Sequence, residues 1–497
     1  MAIDEHSLHF VGGRGDGSGA PAAGGTGGGC TKTEWENAAG INQTLSNIMG
    51  STGEPLCDGT TADATQGAVW PAVGNYVRLT QTAGDSFTGN SALVGTIVYV
   101  NFAATYVDGY YIIVGVGDGG GDDIDIKLTY TGDQAGNTCY VGGAHSDLQD
   151  AIDEIADATD TTGNRWIYSN VDEDLSGGGI GQIVPNITGT TTDDAHVWIR
   201  AYNTQPGDME PGETYAGTYV ELNGQGTLAD DLIAISDVDP DNLHFWDFYI
   251  HGTDEASGHD CAVIDANSVG LEFRRCKFGE AYSGVSGTVS HAAFADCIFE
   301  DSLVHNQISG TITYTHIDRC LFDIAATKWG VVNIGGGVHI EGCIFNGGGT
   351  GVQCAVSEYL NSITNCTFYN QTESCILLYK GLLVAANNIF FPAAVDDYAI
   401  KKGAAVGQVL VISNNCAYSA AGALTNPYYD TELTRALQYD ESNIFVDPQF
   451  VAPGSDDFTP ENWQLMESGL ADAGGNPSHI GAVGKPSAYD IIYAEEQ

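Results

Sequence analysis

Positive charge is scarce in this chain: 16 lysines and arginines stand against 65 aspartates and glutamates, a formal net charge of −49. A field of that sign repels phosphate backbones and anionic lipid, which excludes nucleic acid and membrane surfaces as partners. No apolar run approaches the roughly 18 residues of a membrane-spanning helix, so no membrane insertion is expected. The opening MAIDEHSLHF has no basic residue and no apolar h-region, so a secretory signal is not expected there. No CxxC pair occurs, which removes zinc-ribbon and thioredoxin-type readings, and 12 cysteines in 497 residues are too few for a small disulfide scaffold. No GxxxxGK[ST] is present, and no cofactor or metal site is expected. After the helix that begins near Ser146, no long helical pattern occurs for nearly three hundred residues.

Glycine is abundant, at 66 residues. Residues 11–30 hold ten of them and read as a flexible arm, and Arg14-Gly15-Asp16 inside it is assigned to chance composition. Thr33-Glu34-Trp35-Glu36 is a capping box, followed by Ile41, Leu45 and Ile48 at helical spacing. Four β-rich runs, 76–79, 95–100, 110–114 and 124–128, then define a small β domain over 68–140. Within it Gly115, Gly117 and Gly120 match GxGxxG without a following helix, so a dinucleotide is not expected. The acidic turn of Asp118, Asp122, Asp123 and Asp125 reads as a solvated hairpin tip rather than a calcium loop. Ser146-Asp147-Leu148-Gln149 is a second capping box, with Leu148, Ile152 and Ile155 on one helical face.

After this helix the chain becomes self-similar. Segments ending Arg275-Cys276-Lys277-Phe278, Asp296-Cys297-Ile298-Phe299, Arg319-Cys320-Leu321-Phe322, Gly342-Cys343-Ile344-Phe345, Asn365-Cys366-Thr367-Phe368, Asn387-Asn388-Ile389-Phe390 and Asn415-Cys416-Ala417-Tyr418 recur, with an earlier relative at Asp247-Phe248-Tyr249-Ile250. Seven steps from 248 to 416 cover 168 residues, 24 per step, and three consecutive steps equal 23. Apolar residues five and three before the cysteine alternate as in a strand, and the next inward position comes three later. The chain must therefore turn a corner just before the cysteine, where Gly, Asn and Asp accept positive φ. Units this short bury no core alone, but parallel coils stacked about 4.8 Å apart give continuous columns. The expected columns are Cys276, Cys297, Cys320, Cys343, Cys366 and Cys416, and Phe278, Phe299, Phe322, Phe345, Phe368 and Phe390. Cys354 and Cys375 suggest a second cysteine register. Side chains in one file point the same way, so the thiols are expected reduced.

This repeat, the capping helix, and the ending with Asn443-Ile444-Phe445-Val446-Asp447-Pro448-Gln449-Phe450, Asp456-Asp457-Phe458, Ala471-Asp472-Ala473-Gly474 and Ile480-Gly481-Ala482 resemble right-handed parallel β-helix proteins of the pectate-lyase-like superfamily, including bacteriophage tail spikes. The resemblance spans 141–485. It implies an all-β solenoid over 141–440 with an N-terminal capping helix and a closing segment over 441–497; the arm (1–32), a helix and linker (33–67) and the β domain (68–140) precede it and lie outside the resemblance. The function it implies is that of a structural protein of a phage virion, a tail spike, fibre or capsid spike. Such a protein contacts other virion proteins, forms homotrimers, binds host-surface polysaccharide, and leaves the host cytoplasm in the released particle. The alternatives are a secreted polysaccharide lyase or glycoside hydrolase, and a noncatalytic adhesin of a salt-adapted microbe.

An enzyme of this kind would use carboxylates. Asp318 and Glu341, two before their cysteines, should stack on one edge, with His316 and His339 matched four before. The same places elsewhere carry Arg274, Ala295 and Thr364, or Glu272, Ala293 and Ser362, so no extended chemical ladder follows, and no catalytic motif of a pectate lyase or polygalacturonase is present. The positions just after the cysteine, Lys277, Ile298, Leu321, Ile344, Thr367, Ile389 and Ala417, are mostly apolar and face out, so another subunit or the terminal segment must cover them.

Overall fold

The computed structural model describes residues 6–11, 47–49, most of 57–141, short stretches between 148 and 201, and most of 220–465. Two compact units divide the chain: Met1–Glu173 with Ile187–Met209, and Asp174–Asn186 with Glu210–Gln497.

In the first unit six antiparallel strands close into a barrel, in the order Cys57–Trp70, Gly74–Ala83, Asp123–Thr129, Gly109–Val116, Ile97–Asn101 and Gln134–Val141. Alternation sends Val77, Leu79, Ile124 and Ile126 inward to meet Ala64, Val100 and Cys139. The first strand lies where a linker was expected, because half of its residues are Thr, Asp and Gly, which interrupt the apolar ones before the closing Ala68-Val69-Trp70. Asp125, expected at a solvated hairpin tip, is instead buried in a strand and takes two hydrogen bonds from Arg78, at 2.8 and 3.0 Å. Asp118 and Asp122, with Gly117 and Gly120, lie outside the described residues.

Also in this unit, His6–Val11 pairs in parallel with Asn47–Met49 and Asn164–Ser169, and Asn164–Ser169 with Val197–Ala201. The start of the expected arm is thus a paired strand, and Ile48, expected in a helix, lies in one too. The glycine-rich 12–32 and the rest of the 33–48 helix lie outside the described residues. Past Ser146, Leu148, Gln149 and Ile152 are helical, and Leu148 and Ile152 are fully buried. The Leu148 N–H donates to Glu173 Oε1 at 2.9 Å; Ile155 lies outside the described residues.

The second unit is a parallel β-solenoid. Its first sheet runs from Leu243–Trp246 through Leu271–Arg274, Ala292–Ala295, His316–Asp318, His339–Glu341, Leu360–Thr364 and Gly381–Ala386 to Gly407–Ser413. A second sheet runs alongside, from Val220–Leu228 to Cys416–Ala417, and a third side is divided between two shorter sheets.

First and second sheets meet at the expected corner, where Asp247, Arg275, Asp296, Arg319, Gly342, Asn365 and Asn387 have φ between 48° and 71°. Arginine is a poor residue for that region, and its side chain supplies the compensation. Arg275 donates to both oxygens of Asp247 one coil before, at 2.6 and 3.0 Å, and Arg319 to both of Asp296, at 2.7 and 3.1 Å. Asn365, Asn387 and Asn414 link the later corners in the same manner.

Inside, the phenyl column forms as expected. Phe278, Phe299, Phe322, Phe345 and Phe368 follow one another at 4.7 to 4.8 Å with planes within 8°, and Phe390 ends the column at 5.3 Å. Cys276, Cys297, Cys320, Cys343 and Cys366 are each fully buried or nearly so, the sulfur 3.3 to 3.8 Å from a carbonyl oxygen of the preceding coil. The ten cysteines from Cys139 to Cys416 are free thiols.

Two register expectations are corrected. Ile389 pairs with Cys416 and Phe390 with Ala417, so the column passes through Asn415, whose corner residue is Asn414 (φ 54°). The cysteine column continues as asparagines, Asn388, Asn415 and Asn443, whose amides reach the preceding-coil carbonyls that the thiols reach elsewhere. An asparagine here fills the thiol's place and adds donor and acceptor capacity, so the Cys-x-Phe pattern does not mark the last copy at Asn415 or the column position of Asn443. Cys354 and Cys375 do not share a register either: Cys354 pairs with Leu378, and Thr350 with Ser374.

The outward apolar row is covered by the chain itself. Leu321 and Ile344 pack under Phe458, with Ile298 and Phe450 beside them, and Ile389 and Cys416 pack under Leu465. Of the two coverings expected, the terminal segment is found, and the row no longer argues for a second subunit.

Candidate functional site

The first sheet brings the four sequence candidates together. His316 pairs with His339 and Asp318 with Glu341 on neighbouring strands, because all four occupy outward positions of equivalent coils. The imidazole centroids stand 5.4 Å apart. His339 Nε2 lies 3.1 Å from Glu341 Oε2, and Asn365 donates to Glu341 Oε1 at 2.9 Å. Asp318 touches the Arg319 guanidinium. Burial, with Asp296 and Glu341 nearby, still holds the Asp318 carboxyl above the ordinary aspartate range.

Around this quartet lie residues that the repeat did not flag as functional. At the corner leading into the sheet, His291 stacks on Tyr314 at 4.9 Å, and Tyr314 meets Tyr359 at 5.5 Å. Tyr314 is 40% and Tyr359 56% exposed, so both present ring surface to water. Gly337 makes room for them: a Cβ there would come within 2.7 Å of Tyr314 Cδ1. Two aromatics out of step with the Cys-x-Phe spacing were the available signal.

Two and three strands before His316, outward rows carry His244 and Glu272, then Trp246 and Arg274. Glu272 Oε2 is 2.8 Å from His244 Nδ1 and accepts from Trp246 Nε1 at 3.1 Å. Burial alone would raise the Glu272 carboxyl, but these two partners and the Arg274 charge outweigh it and hold it below the ordinary glutamate range. Between this cluster and the quartet runs a strand with only Ala293 and Ala295 on its outward face. The face is thus a shallow floor two methyl groups wide, with polar side chains on both sides and a tyrosine rim at one corner.

A second polar cluster occupies the second sheet: His251 lies 3.2 Å from both Glu221 and Glu280, and Tyr249 donates to Glu300 at 2.9 Å. Together with His259, 3.8 Å from Asp231, and His244, it gives one coil a histidine–carboxylate contact to a neighbouring coil on each of its three sides. These histidines tie coils together. Among the described residues no group of three His, Cys, Asp or Glu could hold a metal ion, and no helix is long and apolar enough to cross a membrane.

The solenoid makes this chain a parallel β-helix protein. No family model matches it, and no curated protein does. A thermostable GH87 α-1,3-glucanase catalytic unit from Streptomyces thermodiastaticus is 11% identical, with 79% of this chain and 88% of that one covered at a TM-score of 0.33. The tail spike of Acinetobacter baumannii bacteriophage AP22, solved with the host's capsular saccharide, is 8% identical, covering 80% and 68% at 0.27. The tail spike of Pseudomonas phage LKA1 is 8% identical, covering 89% and 70% at 0.23. At these values no residue role carries over.

Proposed function

We propose that the chain is a surface protein of a phage particle, a tail spike or fibre, and that the first sheet of its solenoid binds host glycan. The exposed rings of Tyr314 and Tyr359 beside His316, His339, Asp318 and Glu341 carry the binding half of this reading. A pyranose has an apolar face that packs on an aromatic ring and a rim of hydroxyls that needs carboxylates and imidazoles, and this face offers both. The virion half, with a homotrimer as the assembled state, rests on the resemblance of the repeat to phage spikes. Affinity electrophoresis against capsular and lipopolysaccharide panels tests the first half. At least one polymer should retard the protein, and Tyr314→Ala should weaken that binding about 2-fold to 10-fold, the worth of one aromatic contact. Mass spectrometry of purified particles tests the second, and absence from them rejects it. Light scattering counts the subunits.

Glycoside hydrolysis is a second reading, favoured by two carboxylates pushed in opposite directions on one face. Asp318, held protonated more readily, would donate to the glycosidic oxygen, while Glu272, held ionised, would take the proton from the attacking water. Their strands lie two steps apart, roughly 10 Å, leaving space for water above the alanine strand. Reducing ends released from a bound polymer, and lost in Asp318→Asn, would support it; binding without release would reject it.

A further inference from the structure

Several basic residues of this acidic chain are held by carboxylates. Asp247 holds Arg275, Asp296 and Asp318 hold Arg319, and Glu300 holds Lys277. Arg274 differs: among the described residues none forms a hydrogen bond or ion pair with its guanidinium, and its Nε is buried without a partner. Glu272, on the same face of the same strand, is taken by His244 and Trp246. What fixes Arg274 is the Trp246 ring, whose centroid lies 5.2 Å from Cζ, so the guanidinium is positioned without its donors being used. On its other side the outward position of the next coil is Ala295, a methyl group. A fixed guanidinium with spare donors, opening on a bare floor, is a fork for a planar anion.

We propose that Arg274 and the floor of Ala293 and Ala295 form an anion subsite that takes the carboxylate of an acidic sugar within the bound glycan. This rests on the glycan-binding reading and deepens it. The net charge of −49 opposes a densely charged polymer, so the ligand this subsite fits is a repeat with an isolated uronic acid among neutral sugars. At physiological salt the screening length is about 8 Å, so the contact at Arg274 outlasts the distant repulsion.

The probes are hyaluronate, its carboxyl-reduced form and dextran sulfate for affinity, and glucuronate against glucose for occupancy of the subsite. Hyaluronate should bind at about 0.15 M salt, and either carboxyl reduction or Arg274→Gln should weaken it about 10-fold to 100-fold, as for a charge-assisted contact. Arg274→Lys should restore part of the loss. Ala295→Trp, which fills the floor and leaves the charge alone, should block binding. The Nε–H resonance of Arg274, identified by its disappearance in Arg274→Lys, should shift with glucuronate and not with glucose. Arg274-dependent binding of dextran sulfate alone would assign the subsite to sulfate and overturn the carboxylate. Binding of neutral polymer that is sensitive to Tyr314→Ala and indifferent to Arg274→Gln would overturn the subsite and leave the glycan reading standing. No shift with glucuronate and no polymer bound would overturn both.

Discussion

Replacing Asn415 tests the column register most directly. Its Oδ1 accepts from the Asn388 backbone N–H and side-chain amide at 2.9 and 3.0 Å, and its Nδ2 donates to Ala385 O at 3.0 Å and Asn443 Oδ1 at 2.9 Å. Asn415→Ala removes all four. At a net ~1 kcal/mol for each buried hydrogen bond, the solenoid should lose about 4 kcal/mol. Asn415→Cys should cost about half as much, because a thiol already does part of this work elsewhere: Cys343 Sγ accepts from the Cys320 N–H at 3.4 Å, and the column thiols lie against preceding-coil carbonyls. Cys416→Ala should cost only about 1 kcal/mol, since that side chain faces outward into a small cluster with Ile389 and Leu465. Urea unfolding followed by far-ultraviolet circular dichroism gives the three values. Hydrogen exchange at the Asn388 amide reads the local loss, which should appear in Asn415→Ala and not in Cys416→Ala. The reverse order, with Cys416→Ala the costlier, would return the thiol to the column and refute the register.

The phenyl column predicts a position effect. Phe322→Ala, between rings at 4.8 and 4.7 Å, should cost about 3–5 kcal/mol, and Phe390→Ala, with one tilted neighbour at 5.3 Å, about 1 kcal/mol less; equal urea midpoints would leave stacking without a role. Burial pushes the Cys354 and Cys416 thiols up to about 12, and raises those of Cys276, Cys297, Cys320 and Cys343 well above the ordinary thiol range. A variant with Cys30 and Cys57 changed to serine should therefore stay silent to Ellman's reagent at pH 8 until urea is added, and rapid native labelling would contradict the dry column. Burial also raises the Asp260 carboxyl above its ordinary 3.8. The folded state then holds that proton more tightly than the unfolded state, so this group's contribution is full below 3.8 and falls as pH rises through the folded value. Asp260→Asn should gain on the native protein across that rise and hold a constant advantage towards neutrality. A native protein more stable than the variant at pH 7 would refute it.

The solenoid was legible because its constraints recur. A corner needing positive φ, an inward small residue and an inward ring repeat at nearly equal steps, and no other arrangement buries them all. Legibility failed where one physical role has two chemical solutions. Thiol and carboxamide both fill the column, so Asn415 was passed over for Cys416, and Asn443 was read as part of the ending. The barrel's first strand escaped because Thr, Asp and Gly outnumber its apolar residues. At the site, spacing did put His316 beside His339 and Asp318 beside Glu341, since register alone decides which outward residues are neighbours. Tyr314 and Tyr359 were signalled only by falling out of step with the repeat, and their meeting at a corner, like the Arg274–Trp246 contact, depends on side-chain direction, which a repeat does not encode.

The same geometry explains why a site can sit where it does. An inward residue is held by the coils above and below it, so a change there is felt in three coils. An outward residue on the first sheet answers only to its immediate neighbours, and the row Glu272, Ala293, His316, His339, Ser362 shows how freely those positions vary while the phenyl column beneath stays the same. A glycan lying across the coils therefore meets a different side chain roughly every 4.8 Å on an unvarying frame. Specificity can change one coil at a time, at the alanine floor first, since adding a side chain at Ala293 or Ala295 fills empty space and breaks no contact that the solenoid needs.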